Sequence, residues 1–377
     1  MSEYLGKEVP KLGFGLMRLP KQKDDPTEID VEQVKQMVDL FLDAGLYYFD
    51  TAYVYDNGKS EEAIKKALVD RYPREKYLLA TKLNAWMGCT DEASAKQQFY
   101  TSLERTGAGY FDFYLLHALQ SSNYEKYDEY HIWDFVKQLK AKGLIRHWGF
   151  SFHAGPDLLE KLLTSHPDVD FIQLQINYAD WENPSVQSRA NYEVARKHGV
   201  PVVIMEPIKG GTLANPPETV KQVLKEKNPE MSVASWAIRF AASLDGVITV
   251  LSGMSDLEQM KDNLSYMKEF RPLDASEQET IREAQRALNA IESIPCTGCH
   301  YCTEGCPQHI SIPDIFTAMN QYLIYDRLDE ARREYAWRTQ KSGKASDCIE
   351  CGQCEGACPQ QIKVISRLKE CVKTLEQ

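Results

Sequence analysis

The sequence predicts an α/β protein, a closed (β/α)8 barrel of the TIM type followed by a smaller, all-helical C-terminal domain. Three observations predict it. Short β-branched and aromatic runs alternate with longer amphipathic segments over roughly the first three-quarters of the 377 residues. Gly and Pro mark the boundaries between them. The alternation stops at Pro295, where cysteine spacing and helical periodicity take over.

The strand-like runs are Leu12 to Leu16, Tyr47 to Asp50, Tyr77 to Leu83, Phe111 to His117, His147 to Ser151, Phe171 to Asn177, Val200 to Glu206 and Val247 to Ser252. Between them lie helical patterns such as Val34, Met37, Val38, Phe41 and Leu42, spaced as one buried face. Gly45 precedes the second run, Gly143 the fifth, and Gly199 with Pro201 marks the entry to the seventh. Alternating βα units imply a parallel sheet covered by helices; eight of them imply closure into a barrel, with a doubly wound open sheet as the alternative. Helical character after Asn263 runs to Phe270, breaks at Arg271 and Pro272, and resumes from about Ser276 to Ile294. The expected domains are therefore residues 1–294 and 295–377.

An apolar content of 43% suffices for a large core. The net charge of −11, without a long Lys/Arg run, disfavours nucleic acid and anionic membranes as partners. No apolar stretch reaches the length of a membrane span. The opening MSEYLGKEVPK is polar, so cytoplasmic residence is expected.

Eight of the ten cysteines form two copies of CxxCxxCxxxCP: Cys296, Cys299, Cys302 and Cys306, then Cys348, Cys351, Cys354 and Cys358. In this spacing three thiolates hold one iron–sulfur cube and the fourth reaches the neighbouring cluster. Two [4Fe–4S] clusters are expected, one on Cys296, Cys299, Cys302 and Cys358, the other on Cys348, Cys351, Cys354 and Cys306. Zinc sites favour paired knuckles with no third Cys at the same spacing, and disulfides need an oxidising compartment. Cys89 and Cys371 read as ordinary thiols. Between the two runs, Ile315, Phe316, Met319, Tyr322 and Leu323 recur at helical spacing, implying an all-helical dicluster, ferredoxin-like domain.

In a barrel, residues at the C-terminal ends of different strands meet at one mouth. Asp50 and Tyr55 follow the second run, Lys82 lies in the third and His117 ends the fourth. Tyr55 is placed to give a proton to a carbonyl oxygen as hydride arrives at its carbon, with a neighbouring Lys82 cation lowering the phenol's pKa. Asp50 would orient Lys82, and His117 would hold the carbonyl oxygen. Each residue alone has a duller explanation in capping, packing or solvation.

The segments GFGLMRLP (Gly13 to Pro20), DTAYVY from Asp50, ATKL around Lys82, LLH ending at His117, GFSFH from Gly149, QLQINY from Gln173, MEPIKGG from Met205 and SGMSDLEQMKDN from Ser252 together resemble the aldo-keto reductase family, in its ferredoxin-fused form. The resemblance implies that Asp50, Tyr55, Lys82 and His117 are a catalytic tetrad and that NAD(H) or NADP(H) lies over the strand ends. It implies that Gln173 and Ser151 hold the nicotinamide carboxamide, and that Met205 stands where many members stack a Tyr. By the same resemblance Lys209, Gly210 and Gly211 approach the pyrophosphate, and Gly253, Met254, Ser255, Gln259 and Asn263 surround the adenosine end. Gly253 and Gln259 replace the basic side chains of NADPH specialists, although Lys261 or Lys209 could compensate, so the choice between NAD and NADP stays open.

A nicotinamide moves two electrons and a [4Fe–4S] cluster one, and a flavin normally couples them. No flavin signature is recognisable, so the clusters could serve an external donor, a flavin bound by a partner protein, or the stability of their own domain. The expected activity is reduction of an aldehyde or ketone, or the reverse alcohol oxidation. The alternative is a redox sensor or electron carrier whose barrel binds nucleotide with little turnover. Trp86 and Trp181 are candidate pocket residues, each equally readable as a loop anchor.

Overall fold

The computed structural model describes residues 2–4, 7–184, 186–358 and 360–377. A short antiparallel hairpin, β1 (Ser2–Tyr4) and β2 (Lys7–Val9), precedes eight parallel strands: β3 (Leu12–Gly15), β4 (Tyr48–Asp50), β5 (Leu78–Leu83), β6 (Phe111–Leu119), β7 (Ile145–Phe152), β8 (Phe171–Gln175), β9 (Val202–Met205) and β10 (Val247–Ser252). These eight close in chain order, with β10 pairing both β9 and β3. Each strand coincides with a predicted run to within about two residues at either end, and the barrel is the expected (β/α)8 fold.

Alternation explains the packing. Tyr48, Leu78, Ala80, Phe113, Leu115, Phe171, Val203, Ile248 and Leu251 form an inner cluster together with Val9. The opposite strand faces pack outward against helices, including Val34, Met37, Val38 and Phe41 of the helix Val31–Asp43. That helix starts where Asp30 accepts a hydrogen bond from the Gln33 amide at 3.0 Å.

The departures from expectation have local causes. The seventh strand starts at Val202, because Pro201 has no N–H to offer the sheet, and it ends at Met205, where Glu206 turns into a left-handed conformation at φ 54°. β6 runs past His117 to Leu119. The helix expected to reach Ile294 stops at Asn289, and the Ile294 backbone is instead held by the Asn320 amide at 2.8 and 2.9 Å. The β1–β2 hairpin had no foreseen counterpart.

The chain packs as two units, one made of Met1–Leu213 and Met231–Gln278, the other of Ala214–Glu230 and Glu279–Gln377. The C-terminal part of the second unit is helical, with Tyr301–Glu304, Ile312–Tyr325, Leu328–Arg338, Gln353–Ala357 and Val364–Leu375. The positions expected at helical spacing, Ile315 to Leu323, lie in the helix Ile312–Tyr325, which ends at Asp326, whose φ of 55° turns the chain toward the next helix. Its core joins Ile312, Ile315, Phe316, Met319, Tyr335, Leu368 and the buried Cys371.

Candidate active site and candidate cluster sites

At the C-terminal ends of the barrel strands, Asp50 closes β4 and Lys82 lies one residue before the end of β5. The Lys82 ammonium is fully buried and donates to Asp50 Oδ1 at 2.5 Å and to the Thr51 carbonyl at 2.6 Å. Burial, the largest single influence, pulls the lysine down, but the Asp50 carboxylate and the Tyr55 hydroxyl together more than offset it, so Lys82 lies above its ordinary value. Gln173 adds a long contact to Asp50 Oδ2 at 3.5 Å.

Tyr55 stands against this pair, its ring centre 4.8 Å from Lys82 Nζ. The His117 ring meets it edge-on with centroids 5.7 Å apart. The four predicted residues are therefore gathered at one place. The expected lowering of the Tyr55 pKa is not the net result in this structure. Burial raises the phenol, and the opposing pull of Lys82 only partly offsets it, so Tyr55 holds its proton through the physiological range. His117 lies far below the ordinary imidazole value because of burial, with Lys82 and His153 adding to the shift. It is a neutral ring whose buried Nδ1 has no partner among the described residues.

Sequence reasoning missed the device behind Tyr55. Fully buried Glu61 accepts from Thr81, the neighbour of Lys82, at 2.7 Å, and pairs with Arg105 at 3.4 Å. Arg105 also donates to the Tyr53 carbonyl at 3.1 Å and lies over the Tyr53 ring at 4.5 Å. Its guanidinium passes 2.6 Å from where a Cβ on Gly58 would stand. Gly58, at φ 91°, thus permits both the turn and the close approach. One ion pair ties the strand bearing Lys82 to the loop bearing Tyr55.

Ser151 and Gln173 face each other in register across β7 and β8, both buried, and Ser151 Oγ accepts from the Ala118 amide at 2.7 Å. Met205 ends β9 half-buried. Lys209 turns onto the buried Asp180 at 2.6 Å, while Gly210 and Gly211 carry φ 65° and 100°. Gly253 and the buried Met254 follow β10; the Ser255 amide donates to Gln259 Oε1 at 2.9 Å. Asn263 is tied inward, donating to Ser252 Oγ at 2.9 Å and accepting from the Tyr266 hydroxyl. Arg18, also missed, passes 3.5 Å from a Cβ position on Gly210 and 4.0 Å from one on Gly253. The signal was the single basic residue in GFGLMRLP.

A cavity of about 520 Å3 opens beside the mouth, lined by Trp86, Cys89, Gln120, Asn123, Lys126 and Tyr130 among others. The Trp86 indole lies 3.4 Å from the His117 carbonyl. Trp181 instead packs edge-on against Phe240 at 5.5 Å and contacts Tyr192, as a loop anchor does.

In the second unit, one apolar hollow is lined by Cys296, Cys299, Cys302 and Cys358 together with Ile312, Phe316 and Ile362. Another is lined by Cys348, Cys351, Cys354 and Cys306, with Ile310, Ile365 and Leu368. Each set is three thiols of one run and the fourth of the other, the soft donor set that an iron–sulfur cube takes. Among the described residues no three His, Cys, Asp or Glu side chains converge tightly enough to grip a single ion. Burial pushes Cys302 and Cys354 up to about 11 each, so as free thiols they keep protons that ligation would displace.

The Aldo/keto reductase family model matches residues 11–286, most of the chain. The chain belongs to the aldo/keto reductase family. A 4Fe-4S dicluster domain model matches residues 295–362. Among similar proteins, an uncharacterised oxidoreductase, YqkF, of Bacillus subtilis is 24% identical over 74% of this chain and 96% of its own length. L-galactose dehydrogenase of Arabidopsis thaliana is 24% identical over 77% of this chain and 93% of its own. The holo form of aldo-keto reductase AKR11C1 from Bacillus halodurans superposes with a TM-score of 0.59 at 26% identity, covering 75% of this chain and 94% of that one. The protein is thus an aldo/keto reductase-type oxidoreductase carrying an iron–sulfur domain. No described helix is long and apolar enough to cross a membrane.

Proposed function

We propose that the barrel reduces an aldehyde or ketone, with Tyr55 as proton donor, and that the C-terminal domain carries two [4Fe–4S] clusters that exchange electrons with a partner. The observation that carries the catalytic reading is the packing of Tyr55 against the buried Lys82–Asp50 pair and the His117 ring. A phenol that keeps its proton is a reservoir for a developing alkoxide, and the adjacent Lys82 cation stabilises the phenolate left behind. His117, neutral and short of one partner, donates an N–H to the carbonyl oxygen and fixes its orientation. Glu61 and Arg105 keep the Tyr55 loop and the Lys82 strand in register, and Ser151 and Gln173 offer hydrogen bonds to a carboxamide. When bound, the nicotinamide supplies the hydride and the clusters supply single electrons.

The cluster reading rests on the two four-cysteine sets, Cys296, Cys299, Cys302 with Cys358 and Cys348, Cys351, Cys354 with Cys306, each around an apolar hollow. We assign residues 1–294 to the reductase and 295–377 to the cluster domain, a division supported by the matched spans 11–286 and 295–362. Packing nevertheless groups residues 214–230 and 279–294 with the C-terminal unit. Cytoplasmic residence, a flavin-bearing or other electron-transfer partner and the choice of NAD or NADP belong to the same proposal. The test is turnover of NADH and NADPH with a panel of aldehydes and ketones on anaerobically reconstituted protein. Nucleotide binding without carbonyl-dependent oxidation of either coenzyme would favour the sensor or carrier reading instead.

A further inference from the structure

Glu206 is a charged residue in a strained position. It follows Met205 at the end of β9, its φ of 54° lies in the region that favours glycine, and its backbone is pinned there from both sides. The Asn177 amide donates to its carbonyl at 3.2 Å, and the Lys209 N–H does so at 3.0 Å. Its side chain is open to solvent at the strand-end mouth. Every other carboxylate described in this mouth is matched: Asp50 by Lys82 at 2.5 Å and Asp180 by Lys209 at 2.6 Å. Glu206 has no Lys, Arg or His nitrogen within 4 Å among the described residues; partial desolvation and the Asp180 charge hold its carboxyl above the ordinary value, Arg18 and Lys209 oppose them, and its own charge raises the Tyr55 phenol.

Resting on the reading of this mouth as a nicotinamide site, we propose that Glu206 selects the oxidation state of the bound coenzyme: its unpaired carboxylate favours the positively charged oxidised ring over the neutral reduced one. With Met205 in the adjoining position, neither residue of that dipeptide offers an aromatic face to the ring. As hydride leaves for a carbonyl carbon, and the carbonyl oxygen takes the proton of Tyr55, the ring gains one positive charge that Glu206 opposes with its own. An interaction stronger in that charged state than in the reduced ground state favours hydride donation. Glu206 thereby makes a coenzyme held here a stronger reductant than it is in water.

The experiment is a calorimetric titration of the full-length, cluster-loaded protein, held anaerobically, with NAD+, NADH, NADP+ and NADPH separately, for the parent, Glu206→Gln and Glu206→Asp. Glu206→Gln should weaken binding of the oxidised member of the preferred pair by about tenfold while moving the reduced member less than about twofold, as expected of a charge pair in a partly screened site. Glu206→Asp, which keeps the charge, should preserve most of the parental ratio, and it stands in should Glu206→Gln fail to fold. Rising salt should erode the parental preference. Equal loss of both forms, as from a hydrogen bond to the ribose, overturns the proposal. So does tighter binding of both, as from relief of repulsion against a pyrophosphate. If the parent binds none of the four nucleotides, the nicotinamide reading itself has failed, a result separate from an unchanged ratio.

Discussion

Replacing Lys82 by Met tests the electrostatic centre of the site through stability rather than turnover. Lys82 is fully buried and Asp50 is 2% exposed, so water cannot take over from either partner. Removing the ammonium strips Asp50 Oδ1 of its 2.5 Å partner and leaves the Thr51 carbonyl without its 2.6 Å donor. A buried pair broken on one side costs about 3–5 kcal/mol, whereas replacing both members by neutral groups costs much less. Lys82→Met should therefore destabilise the barrel by about 3–5 kcal/mol, and Asp50→Asn/Lys82→Met should recover roughly half of that or more. The assay is urea unfolding at neutral pH, followed by tryptophan fluorescence. Acidification adds a sign test. Burial raises the Asp50 carboxyl, and without Lys82 only the long Gln173 contact opposes that rise. A carboxyl whose folded pKa exceeds its unfolded one binds its proton more readily in the folded state, so the variant should regain stability as the pH falls through the folded value. A Lys82→Met protein within about 1 kcal/mol of the parent, with no gain on acidification, would refute the buried pair.

Two further outcomes follow from the same geometry. Anaerobic protein should hold about eight iron atoms per chain, and Cys299→Ser should lose one cluster preferentially, since a serine oxygen is a poorer ligand for the soft core; iron analysis with electron paramagnetic resonance checks both, and zinc in place of iron would overturn the assignment. His117 and His153 are both held below the ordinary imidazole value of 6.5 by burial, so stability should be complete above about pH 6.5 and fall as unfolded imidazoles take protons that the folded ones refuse. His117→Phe should flatten that acid limb in urea-midpoint measurements from pH 8 to 5.5, and an unchanged slope would count against a neutral, buried His117.

The barrel was legible because its signals are local and repeated. Runs such as Leu78–Leu83 are buried along their whole length, and the helix face of Val34, Met37, Val38 and Phe41 reads directly from spacing. The cysteine runs were equally legible as a spacing pattern, and Cys306 and Cys358 each line the hollow of the opposite run, the arrangement that spacing leads one to expect. Other features depend on distance in sequence or on backbone angle. Arg105 lies 44 residues from Glu61 and 52 from Tyr53, and nothing in its helix distinguishes it from a solvated arginine. Glu206 reads as an ordinary loop acid until its φ of 54° and its lack of a cationic side-chain partner among the described residues are seen. The Tyr55 pKa departs from expectation because only the Lys82 effect was read from the sequence, whereas the depth of burial that outweighs it comes from the packing of the phenol.

The central claim, that Tyr55 supplies the proton for carbonyl reduction, is tested most directly by Tyr55→Phe. The substitution keeps the ring against His117 and Lys82 and removes only the hydroxyl. With the best substrate from the carbonyl panel, the account predicts a fall in turnover of about 10²–10⁴-fold, with the dissociation constant for the nicotinamide coenzyme unchanged. Near-parental turnover in Tyr55→Phe, on protein shown to bind coenzyme normally, would contradict it.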